Sequence, residues 1–314
     1  MPWGKSKRKE ETNNCAWMSK LPPDCQNIPL WNLAIPGSHD SMSYDLDVNS
    51  SIVEPDQLIK LSGIPCVRKI VRRWAITQEK TIKQQLDAGV RYFDLRIAHK
   101  PRDKNNPRFY FYHGLYTHSD VETILRVINE WADRNPKEIL ILSLSHFKGF
   151  DKEHKDHLHF HLTNFIKALF GTKLIHNHEI PTLKYCWENK KNVIVSYDYQ
   201  PNQHPELWSK IIYFYGNTMK STEIEKTLQH NLDKQKPNKG FYVCGLNLTL
   251  PSDAGILKYI LRICGSFTTV IQKSLPKLIS WVKTSHVPMN IIASDLVTWN
   301  NFVPTVINLN YGKH

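Results

Sequence analysis

Cysteine is scarce in this chain, and the few cysteines form no recognisable pattern. Only six of the 314 residues are cysteines, and no two of them form a C-x-x-C pair. The sequence therefore contains no readable zinc or disulfide framework, which predicts a reducing, cytoplasmic environment. No apolar run approaches the roughly 18 residues that suggest a membrane span, so we expect no transmembrane segment.

Two common functional motifs and an acidic charge balance are also missing. No G-x-G-x-x-G follows a predicted strand, which argues against a dinucleotide-binding fold, and no G-x-S-x-G supplies a nucleophile elbow. The chain has only 29 Asp and Glu residues but 41 Lys and Arg residues, so the formal net charge is +12. Such a surface favours polyanionic partners: nucleic acid, an anionic membrane or a phosphorylated substrate.

The composition is that of a globular protein, with 41% hydrophobic and 22% charged residues. Residues 1–16 are polar and predicted to be disordered. The remainder, residues 17–314, shows no repeat and no linker-like shift in composition. We therefore expect a single domain there.

Strand-like and helix-like patterns alternate along this domain. Apolar runs predict strands at residues 31–35, 90–98, 108–112, 138–144, 192–197, 241–248 and 290–293. Helical spacing predicts helices at residues 77–88 and 151–170, and shorter ones near 255–264 and 278–283. A further helix is predicted to begin at a capping box formed by Ser119 and Glu122 and to end near residue 136. This alternation predicts an α/β fold with parallel strands, either doubly wound or closed as a barrel.

The first predicted strand is followed at once by polar residues. Pro36 and Gly37 are predicted to end it, because proline has no N–H to donate and glycine tolerates turn geometry. His39 and Asp40 come next, in the run L-A-I-P-G-S-H-D-S. An active-site edge and a turn with a surface histidine are both consistent with this segment alone.

Other polar residues recur at or beyond predicted strands. Asp94 and Arg96 share one face of the strand at 90–98, either as a structural ion pair or as part of an active site. His113 follows the next strand, and Asp295 follows the last. In a barrel, polar residues at the carboxyl ends of strands indicate catalysis. Two histidines that act as acid and base, with a permanently charged arginine, suit phosphoryl transfer.

These residues carry a resemblance to a known family. The I-P-G-S-H-D-S run, the R-Y-F-D-L-R strand and the H-G after the next strand resemble the catalytic X domain of phosphatidylinositol-specific phospholipases C. The similarity extends over residues 17–311 and is greatest to the small X domain-containing proteins of this family. It implies a distorted, incompletely closed TIM (β/α) barrel.

The resemblance also implies a reaction and a role for each residue. The inositol 2-hydroxyl of a phosphatidylinositol-type lipid would attack phosphorus, releasing diacylglycerol and a cyclic inositol phosphate. His39 matches the general base and His113 the general acid. Three carboxylates match supporting positions: Asp40 beside the acid, Asp94 on the second strand, and Asp295 orienting the base.

Calcium is not expected, and no other cofactor is implied. Calcium-dependent relatives hold the ion with oxygen ligands, of which Ca²⁺ needs about 6–8. Here Arg96 stands where they place an acid, Ser145 stands at the position of another acid, and Asp40 replaces an amide. Arg96 would supply the positive charge itself, as in metal-independent bacterial members.

Several alternative interpretations remain open at this point. A catalytically weak or inactive lipid-binding protein on the same fold is the main alternative function, and a nucleic-acid binder lacks any supporting motif. The cationic and apolar stretch at residues 67–74 predicts either peripheral contact with an anionic membrane or a helix docked on the core. His157 and His161 are spaced like a zinc pair, but the histidine-rich helix at 154–161 is interpreted as a solvated face.

Overall fold

The computed structural model describes residues 14–100, 107–199, 204–234, 240–251 and 265–311. Its strands are β1 (Ile35–Ser38), β2 (Tyr92–His99), β3 (Phe109–His113), β4 (Leu115–Asp120), β5 (Leu140–Lys148), β6 (Val193–Tyr197), β7 (Ile212–Tyr215), β8 (Tyr242–Gly245) and β9 (Ile291–Ser294). Its α-helices are α1 (Pro23–Gln26), α2 (Asp56–Ile59), α3 (Pro65–Ala75), α4 (Ile82–Ala88), α5 (Val121–Arg134), α6 (Lys155–Phe170), α7 (Leu183–Glu188), α8 (Ser221–Lys234), α9 (Phe267–Thr284) and α10 (Phe302–Asn308).

Seven parallel strands build a barrel that does not close. β1 pairs with β2 on one side and with β9 on the other. β2 leads on to β5 and β6, while β9 leads on to β8 and β7. Among the described residues no ladder joins β6 to β7, and β3 and β4 form an antiparallel hairpin beside β2. The predicted α/β fold and its distorted, incompletely closed barrel are therefore confirmed.

A buried ion pair joins the segments that lead into β2 and β5. Arg91 Nη2 lies 2.7 Å from Glu138 Oε2, and both side chains are buried, so each compensates the other's charge. Arg91 also donates to the carbonyl oxygen of Cys15 at 2.6 Å. The chain thus contacts the barrel two residues before the predicted boundary at residue 17. Residues 1–13, where disorder is predicted, lie outside the described residues.

The first strand differs from its prediction. Residues 31–32 belong to a 3₁₀ turn, and Pro36 and Gly37 lie inside β1 instead of ending it. The carbonyl of Pro36 accepts the N–H of Arg91 at 2.9 Å, so this proline contributes an acceptor to the sheet. At Gly37 a Cβ would lie 2.9 Å from Tyr92 Cδ1, which excludes larger residues at this crossing. Pairing along the whole of β1 brings His39 directly to the strand end.

Local capping explains two further differences. α4 begins at Ile82 and not at residue 77, because Thr81 and Gln84 form a capping box there. α5 is capped by Asp120, whereas Ser119 lies in β4, so the predicted capping box is wrong. The sequence pattern does not predict β4, β7 or α10, and the helix predicted at 255–264 lies outside the described residues.

α3 docks its apolar face on the protein. Val71, Trp74 and Ala75 are buried, so they are not available to enter a membrane. Arg72 Nε donates to the carbonyl oxygen of Leu46 at 2.9 Å, which ties the polar side of the helix to the neighbouring loop. The apolar face of residues 67–74 is therefore docked on the protein, as one of the two interpretations predicts, and membrane contact by the basic face stays a prediction. None of the helices in the described ranges is long and apolar enough to cross a bilayer.

The histidine-rich helix α6 is only partly solvated. His157 is exposed, but His159 is buried and its Nδ1 lies 2.7 Å from the hydroxyl of Tyr197. The His161 ring packs against Phe109, with 6.0 Å between the ring centroids. The predicted solvated face is thus wrong for His159, and no group of three potential metal ligands in the described ranges includes His157 or His161.

Candidate active site

The carboxyl ends of several strands meet around one pocket of about 620 Å³. β1 brings His39 and Asp40, β2 brings Asp94 and Arg96, and β3 ends at His113; all five line this pocket. Asp295 follows β9 and contacts His39 from behind. The structure therefore brings together all six residues that the sequence predicts for the site.

His39 is held from both sides of its ring. Its Nδ1 lies 2.7 Å from Asp295 Oδ1, and both residues are buried. Because a carboxylate can only accept, this contact fixes a proton on Nδ1. The Nε2 atom faces the pocket, 3.2 Å from Asp40 Oδ2 and 3.3 Å from Arg96 Nη2. Nε2 is therefore the atom at which His39 can exchange a proton.

Asp40 connects the two histidines with the arginine. Its Oδ2 lies 3.2 Å from Nε2 of His39 and 3.2 Å from Nε2 of His113, while its Oδ1 lies 2.6 Å from Arg96 Nε. Its own N–H donates to Asp94 Oδ2 at 3.2 Å. One buried carboxylate thus faces three cationic or potentially cationic groups.

His113 presents the same ring atom to the pocket as His39. Its Nδ1 lies 2.6 Å from the carbonyl oxygen of Ala75, which accepts a hydrogen bond and so fixes the proton on Nδ1. Its Nε2 faces the pocket, 3.2 Å from Asp40 Oδ2. The next residue, Gly114, donates its N–H to Glu54 Oε1 at 3.2 Å and anchors the turn.

The charges shift several pKa values. Burial of His39 disfavours its charged form, but Asp40 and Asp295 outweigh burial and raise the pKa of His39 from 6.5 to about 9. Burial also disfavours the Asp40 carboxylate, yet Arg96, His113 and His39 hold its pKa well below its usual range. Burial raises the pKa of Asp295 despite the neighbouring His39. The two carboxylates therefore favour the imidazolium form of His39 in the free protein.

Three further residues of the site were not predicted from the sequence. His146 lines the pocket from β5 with a positive φ of 65°, and its Nδ1 lies 2.8 Å from Ser145 Oγ. The ring of Tyr213 lies 6.2 Å from that of His39 between centroids. Gln78 donates to the carbonyl oxygens of both His39 and Ser294, each at 2.9 Å. Of these, only His146 has a sequence signal: it is a polar residue after a strongly apolar strand.

Two groups in the described ranges bring three potential metal ligands within 4.8 Å of one another. One consists of His39, Asp40 and Asp94, and the guanidinium of Arg96 lies against it, 2.6 Å from Asp40 and 3.9 Å from Asp94. The other, on the surface, consists of His176, His178 and Glu179.

Comparison with known proteins identifies relatives along nearly the whole chain. Residues 71–197 match the family model described as phosphatidylinositol-specific phospholipase C, X domain. The chain is 38% identical over 307 residues to the PI-PLC X domain-containing protein 1 of Homo sapiens, covering 94% of this chain and 91% of that protein. It is 35% identical over 321 residues to the PI-PLC X domain-containing protein 3 of Homo sapiens, covering 98% of this chain and 96% of that protein.

Solved structures of low sequence identity share the fold. A phosphatidylinositol-specific phospholipase C of Staphylococcus aureus superimposes with a TM-score of 0.66 at 18% identity, covering 95% of this chain and 98% of that one. The enzyme of the same name from Listeria monocytogenes gives a TM-score of 0.62 at 19% identity, with the same coverage.

The carboxylate behind His39 allows a direct test of the site's electrostatics. Replacing Asp295 by Asn removes one of the two charges that raise the pKa of His39, so this pKa should fall from about 9 towards its ordinary 6.5. The measurement is an NMR titration of the His39 ring in the free protein. Asp198→Asn is a matched control in the same pocket, because Asp198 pairs with Lys210 at 2.7 Å instead. An unchanged His39 pKa in Asp295→Asn contradicts the assignment.

Proposed function

Because the chain belongs to the phosphatidylinositol-specific phospholipase C X domain family, we propose that it is a phosphodiesterase that cleaves phosphatidylinositol-type lipids. The products would be diacylglycerol and a cyclic inositol phosphate. One observation carries this proposal: Nε2 of His39, Nε2 of His113 and the Arg96 guanidinium all surround the Asp40 carboxylate in one pocket.

The two histidines supply the proton transfers in this proposal. Nε2 of His39 takes the proton of the inositol 2-hydroxyl while that oxygen forms a bond to phosphorus. The bond from phosphorus to the diacylglycerol oxygen breaks, and Nε2 of His113 gives its proton to that oxygen. Asp295 holds the His39 ring through Nδ1 at 2.7 Å, and Asp40 Oδ2 lies 3.2 Å from Nε2 of His113.

The walls of the pocket suit a ligand with a polar head and an apolar tail. The lining includes the hydroxyl and amide groups of Ser143, Ser145 and Asn247, with which the hydroxyls of an inositol ring can form hydrogen bonds. It also includes apolar side chains: Leu58, Val71, Trp74, Leu248, Leu250 and Phe267. This mixture of polar and apolar groups supports a lipid substrate.

Arg96 stands in for a metal ion in the proposed mechanism. Ca²⁺ needs about 6–8 oxygen ligands, whereas the guanidinium of Arg96 lies 2.6 Å from Asp40 and 3.9 Å from Asp94, between the carboxylates that would hold the ion. Asp40 and Asp94 outweigh burial and raise the pKa of Arg96, so its charge is permanent. The residues present therefore do not fit calcium, and the guanidinium provides the charge that stabilises the phosphate as it reacts.

A binding protein without turnover is the second candidate function. The raised pKa of His39 favours this binding function, since an imidazolium cannot accept the proton of the attacking hydroxyl. Under the enzymatic proposal, turnover must therefore rise with pH as His39 loses its proton. Under the alternative, inositol lipids bind in the pocket but no product forms.

Replacement of either histidine tests the catalytic proposal. We expect His39→Ala and His113→Ala each to lower turnover of phosphatidylinositol micelles by at least about a hundredfold, the usual size of a general acid or base contribution. His118→Ala is the matched control, because His118 is an exposed histidine on β4. Circular dichroism verifies that each variant folds. Near-normal turnover in either pocket variant would contradict this mechanism. If the unmodified protein forms no product at pH 7–9, the second candidate function, binding without turnover, is favoured.

Chelation tests the role of Arg96. Turnover should be unchanged in excess EDTA, whereas Arg96→Ala should lower it by about 10²–10³, as expected for removal of a preorganised charge at the reacting group. Arg96→Lys retains the charge without the planar fork and should recover only part of the activity. Loss of turnover in EDTA that calcium restores shows that the arginine proposal is wrong.

Membrane contact is proposed at an apolar turn beside the pocket. Ile59, Leu61 and Ile64 are 38%, 39% and 43% exposed between α2 and α3. Their neighbour Leu58 lines the pocket, so the turn lies near its mouth. These side chains would enter the surface of a bilayer, while the net charge of +12 attracts its anionic lipids.

The apolar contribution can be separated from the charge. The double variant Ile59→Ser, Ile64→Ser should reduce partitioning onto phosphatidylcholine–phosphatidylserine vesicles by about tenfold, because two partly exposed side chains lose burial in the bilayer. Ile180→Ser is the control: Ile180 is 65% exposed, and the next residue bonds to Leu30 near the opposite end of β1. Partitioning should also weaken as salt rises. If both variants lose the same amount of partitioning onto vesicles, the proposed membrane contact at this turn is wrong.

A further inference from the structure

A second cavity lies on the other side of α3 from the candidate active site. It has a volume of about 630 Å³ and shares no lining residue with the active-site pocket. Val71, Trp74 and Ala75 face the active-site pocket, whereas Lys69, Arg72 and Arg73 face this second cavity, which we name the cationic cleft. The other lining residues are Tyr44, Val48, Ile76, Gln78, Glu79, Ser266 and Thr268.

The three cations of the cleft are not neutralised by neighbouring acids. Within the described ranges, none of Lys69, Arg72 and Arg73 has a carboxylate oxygen within 4.0 Å. Arg72 uses its Nε to bond the carbonyl of Leu46, which holds the side chain in place. Glu79 is the single acid in the lining, and its Oε2 accepts from Trp299 Nε1 at 3.1 Å. The cleft therefore has an excess of fixed positive charge.

The size of the cleft and the arrangement of its cations allow contact with more than one phosphate group. Residues 69, 72 and 73 lie on one side of a helix, so their three side chains can contact neighbouring phosphates at the same time. The opposite wall adds the hydroxyls of Ser266 and Thr268. Ser266 is the N-cap of α9, whose N-terminal end adds partial positive charge.

The floor of the cleft is part of the framework of the active site. Gln78 is buried, and its side chain donates to the carbonyl oxygens of His39 and Ser294. The backbone N–H of Gln78 donates to Ser43 Oγ at 2.9 Å. A ligand in the cleft would thus rest against a segment that is fixed in position, which lowers the entropy lost on binding.

We propose that the cationic cleft is a binding site for an anion that carries several phosphate groups, of the size of a phosphorylated inositol. The source is either the head group of a membrane lipid or a free inositol phosphate. This proposal does not depend on turnover at the active site, because the cleft contains none of the proposed catalytic residues.

Calorimetric titration with soluble inositol 1,4,5-trisphosphate tests the site directly. The double variant Lys69→Gln, Arg73→Gln should weaken binding by at least about tenfold, as expected for the loss of two charge-assisted contacts. The control Lys20→Gln, Lys184→Gln removes the same charge from exposed lysines outside the cleft and should bind within about twofold of the unmodified protein. His113→Ala should bind normally, which separates the cleft from the active site.

A second arm distinguishes the lipid from the free anion. Vesicles with phosphatidylinositol 4,5-bisphosphate are compared with phosphatidylserine vesicles of equal net charge. If the cleft variant binds only the bisphosphate vesicles more weakly, the site is assigned to a lipid head group. If it also binds the soluble trisphosphate more weakly, the site is assigned to the phosphorylated ring from either source. The proposal is wrong if the cleft variant binds both probes normally. It is also wrong if the control variant loses as much binding affinity as the cleft variant.

Discussion

One buried carboxylate holds the candidate active site together. Asp40 is only 3% exposed, and His39, His113 and Arg96 approach its two oxygens from three strands. An unpaired carboxylate at this depth would be strongly destabilising, because burial removes its hydration. The three partners therefore depend on one another: removing any of them changes the charge that the other two must balance.

Backbone geometry sets the direction of this carboxylate. Asp40 has a positive φ of 43°, and its N–H donates to Asp94, so the chain turns sharply at the end of β1. The turn is held by Gln78, which binds the carbonyls of His39 and Ser294 and so joins the ends of β1 and β9. Side chains from separate strands meet at Asp40 because β1 and β2 run parallel, and because the antiparallel strand β3 ends at His113 beside β2.

The sequence allows these residues to be predicted as one candidate site because they stand where apolar strands end. His39, His113 and Asp295 are all found in that way. The sequence does not predict Pro36 and Gly37 inside β1, since their suitability depends on how closely Tyr92 and Ile291 approach. It also cannot predict the role of Gln78, whose side-chain partners lie 39, 216 and 219 residues away. Local pattern thus identifies strand ends, whereas close packing and distant hydrogen bonds require the folded chain.

A fixed arginine changes what happens when a phosphate enters such a site. A metal ion could accept the phosphate as an additional ligand, but the guanidinium of Arg96 already pairs with Asp40 at 2.6 Å. Under the proposed function, the phosphate competes with this carboxylate for Arg96. Asp40 can yield because both histidine Nε2 atoms lie 3.2 Å from its other oxygen and can balance its charge. In this proposal the guanidinium takes the place of a metal ion, while Asp40 and Asp295 raise the pKa of His39 until substrate rearranges the charges around it.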